Sequence, residues 1–333
     1  MKVSFLGSGA WATALAYALS KRGEHDILLY GNNPAEINDI NENHKNSRYF
    51  PDVELPASLK ATLDPKVALK GRDVLVLAVP SQAINDIVSL IERHCDTTPL
   101  LINVIKGFDP LTGKGITSLI EKSLEGKVKV DGIVSLVGPS FAYDVIHDDL
   151  TAIDAVAKDI EKAEITQKMF SSDSFRVYTQ TDVVGAEVGA GMKNIVAIAS
   201  GIMEGLGYKD NTRAALITRG LAEITRFGLA RGAKASTFLG LTGVGDLTLT
   251  CSSPRSRNFT LGQAIGKEDD AAPVLAANQK TVEGVIAAKT IHFEAKRIGV
   301  ETPIVDAVYE ILYEGKKPST TVASLMNRKL KAE

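Results

Sequence analysis

Cysteine is almost missing. Cys95 and Cys251 are the only two among 333 residues, so no disulfide framework is available and a reducing, cytoplasmic setting is expected. Excess positive charge is missing too. The formal net charge of −2 leaves no basic footprint for nucleic acid and no general attraction to acidic membrane surfaces. The N-terminal stretch has no basic segment followed by an apolar one, so no secretory signal is expected. No apolar run reads as a membrane span. The longest, from Val183 to Met203, is interrupted by Glu187, Lys193 and Asn194, so stable membrane insertion is not expected. The five histidines are scattered. No His/Cys/carboxylate spacing suggests a metal, and no Cys/His or Ser/His/Asp arrangement suggests nucleophilic catalysis. Internal repeats and low-complexity tracts are not visible. What remains is an ordinary composition, 44% hydrophobic and 23% charged, in a chain long enough for about two domains.

The most informative segment that is present lies at the start. A short apolar strand, 2–6, runs into Gly7-Ser8-Gly9-Ala10-Trp11-Ala12 and then a helix of small residues. This is the dinucleotide-binding turn in its G-x-G-x-x-A form. Gly7 permits the tight turn, Gly9 lets backbone approach a pyrophosphate, and Ala12 lets helix pack on strand. The free N–H groups and positive dipole end at Ala10 and Trp11 would face the phosphates.

The first half alternates strands with helices. Strands read at 2–6, 27–30, 74–79, 100–105, 133–137 and 175–178, with helices at 10–22 and 82–94 among them. The stretch 41–56 reads as loop. This pattern predicts a mostly parallel sheet with helices on its faces, a Rossmann-type α/β domain. After Thr181 only 3.6-residue periodicity remains, at 182–206, 211–231, 283–298, 303–313 and 318–330. The expected organisation is an α/β dinucleotide-binding domain over 1–180 and an all-α substrate or catalytic domain over 181–333. Residues 263–280 resist assignment.

In an open α/β sheet, ligands bind beyond the carboxyl ends of the strands. Three strands end in distinctive turns: Pro80-Ser81, Lys106-Gly107 and Gly138-Pro139-Ser140. Lys106 reads equally well as a crevice lysine and as an exposed strand end. The Gly107–Gly115 stretch is not a P-loop, because its spacing is one residue too long and Gly115 stands where Ser or Thr would hold magnesium. The second strand ends at Tyr30-Gly31-Asn32-Asn33. No Asp or Glu is seen there to accept from a ribose 2′-hydroxyl or to repel a 2′-phosphate. That leans toward NADPH, used at least as well as NADH. Asn32 and Asn33 could donate amide hydrogens and Lys45 or Arg48 could fold back, or the asparagines could simply turn the chain.

The segment 182–201 carries four glycines and Lys193 among small residues. Glycines cost about 1 kcal/mol each in a helix relative to alanine, so close packing must sustain it. A lysine on such a face is either partly buried, with a lowered pKa suited to proton transfer near neutrality, or packs its stem while its ammonium reaches water. Downstream, Gly243-Val244-Gly245-Asp246 brings a carboxylate close to Thr248 and Thr250. The loop Ser252-Ser253-Pro254-Arg255-Ser256-Arg257-Asn258 has the chemistry of a phosphate clamp or of a solvated basic loop.

Taken in order, these segments resemble bacterial-type NAD(P)-dependent glycerol-3-phosphate dehydrogenase. The resemblance is carried by Gly7–Ala16, Val76–Ser81, Lys106-Gly107, Gly138–Ala142, Gly191-Met-Lys-Asn194, Asn211–Glu223, Gly243–Cys251, Ser256-Arg-Asn258 and Val282-Glu-Gly284, and it spans nearly the whole chain. It implies that Lys193 gives or takes the proton at the reacting carbon, that Lys106 lies beside cofactor and substrate, and that Asp246 and Thr250 support Lys193 and the substrate. It places Ser256, Arg257 and Asn258, with Gly138 and Ser140, around a phosphorylated small-molecule substrate. Ala142, Arg257 and Glu283 would reach the cofactor. It further implies reduction of dihydroxyacetone phosphate for phospholipid synthesis, with no metal; a homodimer is left open. Tyr143 and Phe259 depart from the usual pattern. The alternatives are another two-domain reductase, of the β-hydroxyacid or ketopantoate kind, and a nucleotide-sensing protein without turnover.

Overall fold

The computed structural model describes residues 1–109, 113–278 and 281–327. They divide into two compact units. The first comprises Met1–Ile105 and Ile116–Val183; the second comprises Lys106–Gly115 and Val184–Glu333.

The first unit is built on one eight-stranded sheet: β1 (Lys2–Leu6), β2 (Asp26–Tyr30), β3 (Lys60–Thr62), β4 (Val74–Leu77), β5 (Leu100–Asn103), β6 (Gly132–Val137), β7 (Thr151–Val156) and β8 (Phe175–Gln180). Their order is β3-β2-β1-β4-β5-β6-β7-β8. Every pairing is parallel except β6 with β7. The order reverses between β1 and β4, which makes the carboxyl end of β1 a topological switch point.

The strand sequences explain the layers. Val74 and Val76 of β4 join one core, while Leu75 and Leu77 join the other. Leu100 and Ile102 of β5 face the first core and Leu101 the second. Side chains alternate across a strand, so a continuous apolar run serves two helical layers at once. Helices Ala10–Ser20 and Ile160–Phe170 supply the first layer; Ile84–His94 and Ile116–Leu124 supply the second.

Two strands escaped the sequence pattern. β3 has only three residues and lies at the sheet edge. β7 carries Asp154 inside its apolar run, where the carboxylate accepts a 2.8 Å bond from Gln180 Nε2 of the adjacent strand. A charge mid-strand interrupts the apolar run by which a buried strand is read from sequence. The loop expected over 41–56 contains the end of a π-turn, Asp39–Asn43, and is otherwise irregular.

In the second unit the helices run Val183–Gly205, Asp210–Ala230, Glu283–Ile298, Pro303–Tyr313 and Pro318–Met326. Positions 328–330 of the expected last helix lie outside the described residues. The unassigned stretch resolves into the end of helix Arg257–Glu268 and a short helix Ala272–Ala277; positions 279 and 280 are outside the description. Val183–Gly205 is long and apolar enough to cross a membrane, yet it is largely buried within the fold. Its glycines permit this. A methyl group on Gly201 would fall 2.0 Å from the Phe259 carbonyl, and one on Gly262 would fall 2.1 Å from that of Ile198. The two helices therefore touch backbone to backbone, which offsets the poor helix propensity of both.

Nothing in the sequence separates the segment Lys106–Gly115 from the strand before it. It groups with the helices because Phe108 is buried in the helical core.

Candidate active site

In the sheet unit the site is mostly backbone. Gly7 has φ +136°, and a Cβ there would lie 2.3 Å from the Ala78 carbonyl at the end of β4. Only glycine fits. Gly9 is the N-cap of Ala10–Ser20, has no side-chain cap bond, and its missing Cβ faces open space. The first-turn N–H groups of a helix have no intrahelical partners, so this end is left ready for an anion. Ala10 and Trp11 are half-buried there, and Trp11 Nε1 has no hydrogen-bond partner among the described residues. These features fit the pyrophosphate of a dinucleotide. Gly138, with φ +150°, ends β6 where a Cβ would lie 2.9 Å from the Ile153 Cα. Ser140 Oγ donates to the Gly138 carbonyl, 3.2 Å, and Ala142 starts the short helix Ala142–Ile146.

The end of β2 differs from the sequence reading. Asn32 is exposed, but Asn33 is occupied as a cap: its Oδ1 accepts from Ala35 N, 3.0 Å. A carboxylate is present after all. Glu36 is buried, accepts from Ser8 Oγ at 2.8 Å and Asn33 Nδ2 at 3.1 Å, and pairs with Arg48 at 2.6 Å. Asn46, also missed, donates to the Ser8 carbonyl and to Thr13 Oγ1, both at 2.9 Å. Ser8 is thus gripped at its hydroxyl and its carbonyl by residues 28 and 38 positions away. An asparagine in a polar loop and a glutamate in the five-residue helix Pro34–Asn38 carry no periodicity that would reveal this.

β5 ends in a buried polar knot. Asn103 Oδ1 accepts from Ile105 N at 3.0 Å, while its Nδ2 donates to Ser135 Oγ at 3.1 Å, which Thr117 Oγ1 also meets at 3.1 Å. This holds the strand end immediately before Lys106.

The helical unit holds the titratable cluster. Lys193 is only 4% exposed, so the burial alternative is the correct one. Its Nζ lies 2.5 Å from Asp246 Oδ1 and donates to Thr250 Oγ1 at 3.0 Å. Lys106 Nζ lies 3.6 Å from the other oxygen of Asp246, Oδ2. Thr250 Oγ1 donates to the Asp246 backbone carbonyl, 2.6 Å, one turn back on the helix Asp246–Ser252. Gly189, one turn before Lys193, makes the approach possible: a Cβ there would fall 2.2 Å from the Thr242 carbonyl. The backbone leading to Asp246 therefore runs directly against the lysine helix.

Desolvation is the dominant influence on Lys193 and pushes its pKa down to about 8. Asp246 opposes this and Lys106 adds to it. A buried ammonium without a carboxylate would lose its proton outright; with one, it keeps a proton it can give up near neutrality. Cys251, beside the cluster in sequence, is driven strongly the other way: burial raises its thiol far above the usual range, so it stays inert.

The remaining expected residues divide. Arg257 is exposed at the start of its helix. Ser256 is its N-cap, accepting from Phe259 N at 3.3 Å. Asn258 is buried and committed at both ends of its amide: Nδ2 donates to Asn194 Oδ1 at 3.0 Å, and Oδ1 accepts from Gly284 N at 2.9 Å. Asn194 Nδ2 in turn donates to Glu283 Oε2, 3.2 Å. A methyl on Gly284 would strike Asn258 Oδ1 at 2.6 Å, which accounts for the glycine after Glu283. Phe259, one of the two departures from the family pattern, is buried. Among the described residues, no group of three or more His, Cys, Asp or Glu side chains is placed to hold a metal.

An uncapped glycine turn at a switch point and a buried lysine kept protonated by a carboxylate are the parts a nicotinamide-dependent dehydrogenase requires. Comparison with known proteins narrows this. Residues 2–163 match the family model for the NAD-dependent glycerol-3-phosphate dehydrogenase N-terminus, and residues 182–323 match that for its C-terminus. A glycerol-3-phosphate dehydrogenase [NAD(P)+] of Listeria innocua is 42% identical over 332 residues, covering 100% of this chain and 98% of its own. The crystal structure of the glycerol-3-phosphate dehydrogenase of Coxiella burnetii superimposes with a TM-score of 0.90 at 31% identity, covering 98% of this chain and 99% of the other. The chain belongs to the NAD-dependent glycerol-3-phosphate dehydrogenase family. A ketopantoate reductase of Ralstonia eutropha is similar at a TM-score of 0.60 but only 14% identity, over 97% of this chain and 100% of its own; that likeness is one of fold alone.

Proposed function

We propose that the protein interconverts dihydroxyacetone phosphate and sn-glycerol 3-phosphate with NAD(P)H, supplying glycerol 3-phosphate for phospholipid synthesis in the cytoplasm. The observation that carries this reading is the Lys193–Asp246–Lys106 cluster, with two ammonium groups on one buried carboxylate. The nicotinamide, when bound, supplies the hydride. Lys193 gives a proton to the developing C2 alkoxide, and Thr250 fixes the direction of its Nζ. Lys106 adds a second positive charge where negative charge develops, the form of stabilisation that removes most barrier in a dry site. Asp246 keeps Lys193 protonated between turnovers. Arg257, exposed and held in the first turn of its helix, is the residue assigned to the substrate phosphate. Asn258 acts through Asn194 and Gly284 as scaffold for that turn.

The turn at Gly7, Gly9, Ala10 and Trp11 holds the pyrophosphate. For the adenosine end, NADPH is used at least as well as NADH. Glu36 already accepts from Ser8 and Asn33 and is paired with Arg48, which leaves Asn32 exposed at the strand end without a free carboxylate beside it. The test is oxidation of NADPH and NADH with dihydroxyacetone phosphate and with unphosphorylated dihydroxyacetone. The expected result is turnover with the phosphorylated ketone and kcat/KM for NADPH equal to or above that for NADH. Equal rates with both ketones would remove the phosphate grip, and a strong preference for NADH would remove the cofactor reading. In the reducing direction kcat is expected to fall above about pH 8, as Lys193 loses the proton it must donate; the reverse reaction rises through the same range.

A further inference from the structure

We propose that Phe108 and Arg231 are positioning residues that dock the Lys106 segment on the helical unit and so set the distance of the second cation from Asp246. The proposal rests on the reading of Lys193 and Lys106 given above. Only two residues separate Lys106 from the end of β5, yet the segment it opens belongs with the helices. Three contacts hold it there. The Phe108 ring lies against Gly191, where a Cβ would fall 2.2 Å from the ring edge, two residues before Lys193. Arg231 Nη1 donates to the Gly113 carbonyl at 2.6 Å. The backbone of Gly115 is pressed against Glu187, whose carboxylate would lie 1.8 Å from an added Cβ. The segment is closed on itself by Asp109 N to the Lys114 carbonyl at 2.8 Å and by a bridge between Phe108 and Gly115.

Arg231 is itself fixed. It lies 3.6 Å from Glu294 Oε1 and stacks on the Phe227 ring at 5.6 Å, and Arg297 grips the same carboxylate at 2.6 and 2.8 Å. The anchor at Phe108 is two residues from Lys106. The reach of that lysine to Asp246 is therefore set by the helix surface under Gly191, not by the strand that delivers it. Neither Phe108 nor Arg231 contacts the reacting groups.

The test is Gly191→Ala, which drives a methyl into the Phe108 ring, and Arg231→Gln, which loosens the far end of the segment. Loss of register costs up to ~100-fold in rate for a shift of about 1 Å, so kcat is expected to fall ~10- to 100-fold in Gly191→Ala and less in Arg231→Gln. Because the Lys106 charge helps lower the Lys193 pKa, both variants should move the alkaline limb of kcat, and the 13Cε titration of Lys193, to higher pH. Both effects should vanish in a Lys106→Met background, where there is no second cation left to misplace. Variants with wild-type kcat, or with a loss of rate that leaves the Lys193 titration unmoved or persists in full in the Lys106→Met background, would overturn the proposal. Undiminished turnover in Lys106→Met itself would instead remove the underlying role of Lys106.

Discussion

In the sheet unit the contacts proposed for the cofactor are backbone: a glycine turn, an uncapped helix start and the ends of β1, β4 and β6. In the helical unit the proposed site is made of side chains: those at 106, 193, 246 and 250 form one bonded cluster, and Asn194 joins 258 to 283 in another. Backbone recognition needs small residues at fixed local spacing. Electrostatic catalysis needs charges out of water, and a charge is kept out of water only by packing many segments around it. The first kind of site is compact in sequence for that reason, and the second is dispersed.

The sharpest way to separate the two halves is Lys193→Ala. It should lower kcat by at least ~1,000-fold, since general acid catalysis and electrostatic stabilisation are lost together. NADPH affinity, measured by fluorescence titration, should stay within a few-fold of wild type, because the glycine turn is untouched. Near-normal turnover in the folded variant would exclude Lys193 from the chemistry.

Arg257→Ala tests whether the exposed end of the helical site binds phosphate. Removing a charge-assisted contact of this kind costs ~2–4 kcal/mol, which should appear mainly as a raised KM for dihydroxyacetone phosphate. An unchanged KM would make the loop a solvated surface.

Asp246→Asn sharpens the electrostatic account. Asp246 raises the Lys193 pKa, so its loss should lower that pKa below about 8 and move the alkaline limb of the reduction to lower pH. The direction is opposite to that expected for loosening Lys106, and a pH–rate profile of each variant distinguishes them. A limb that does not move would mean that Lys193 is not the titrating group.

The smallest effect concerns stability. Glu223 is buried, and its carboxylate accepts from Ile304 N at 2.6 Å and Val305 N at 3.3 Å, capping the helix Pro303–Tyr313 from another helix. Desolvation outweighs these bonds and pushes its pKa up to about 7. The folded state therefore holds this proton more tightly than the unfolded chain, where a glutamate titrates near 4.3. Its contribution to stability is fully present below that value and is lost as pH rises through about 7. Denaturant unfolding of Glu223→Gln against wild type should show the variant gaining relative stability between pH 5 and pH 8, by about 2–3 kcal/mol. A constant difference across that range would refute the assignment.

Much of the sheet unit was legible because its physics is local. The short apolar runs of β1, β4, β5 and β6, and the spacing of Gly7, Gly9 and Ala12, follow from strand pleat and turn geometry that neighbouring residues dictate. Asn33 shows the limit: it is the helix cap that the turn chemistry allowed, but the carboxylate it meets, Glu36, is identified only once the chain folds back on Ser8. β7 was hidden by Asp154, whose partner Gln180 sits on a strand 24 residues later.

The sequence by itself determined the two-part organisation, the dinucleotide turn, the helical periodicity after Thr181 and the presence of a lysine among glycines. It left open whether that lysine was buried or solvated, because the answer depends on Gly189 meeting the Thr242 carbonyl and on Asp246 arriving beside Nζ. It also left Lys106 with the strand it follows. Only tertiary packing assigned that lysine to the helices, through Phe108 on Gly191 and Arg231 on Gly113. Local propensity acts over a few residues, whereas the pKa of a lysine is set by everything within a few ångströms of its nitrogen, and that neighbourhood exists only in the folded chain.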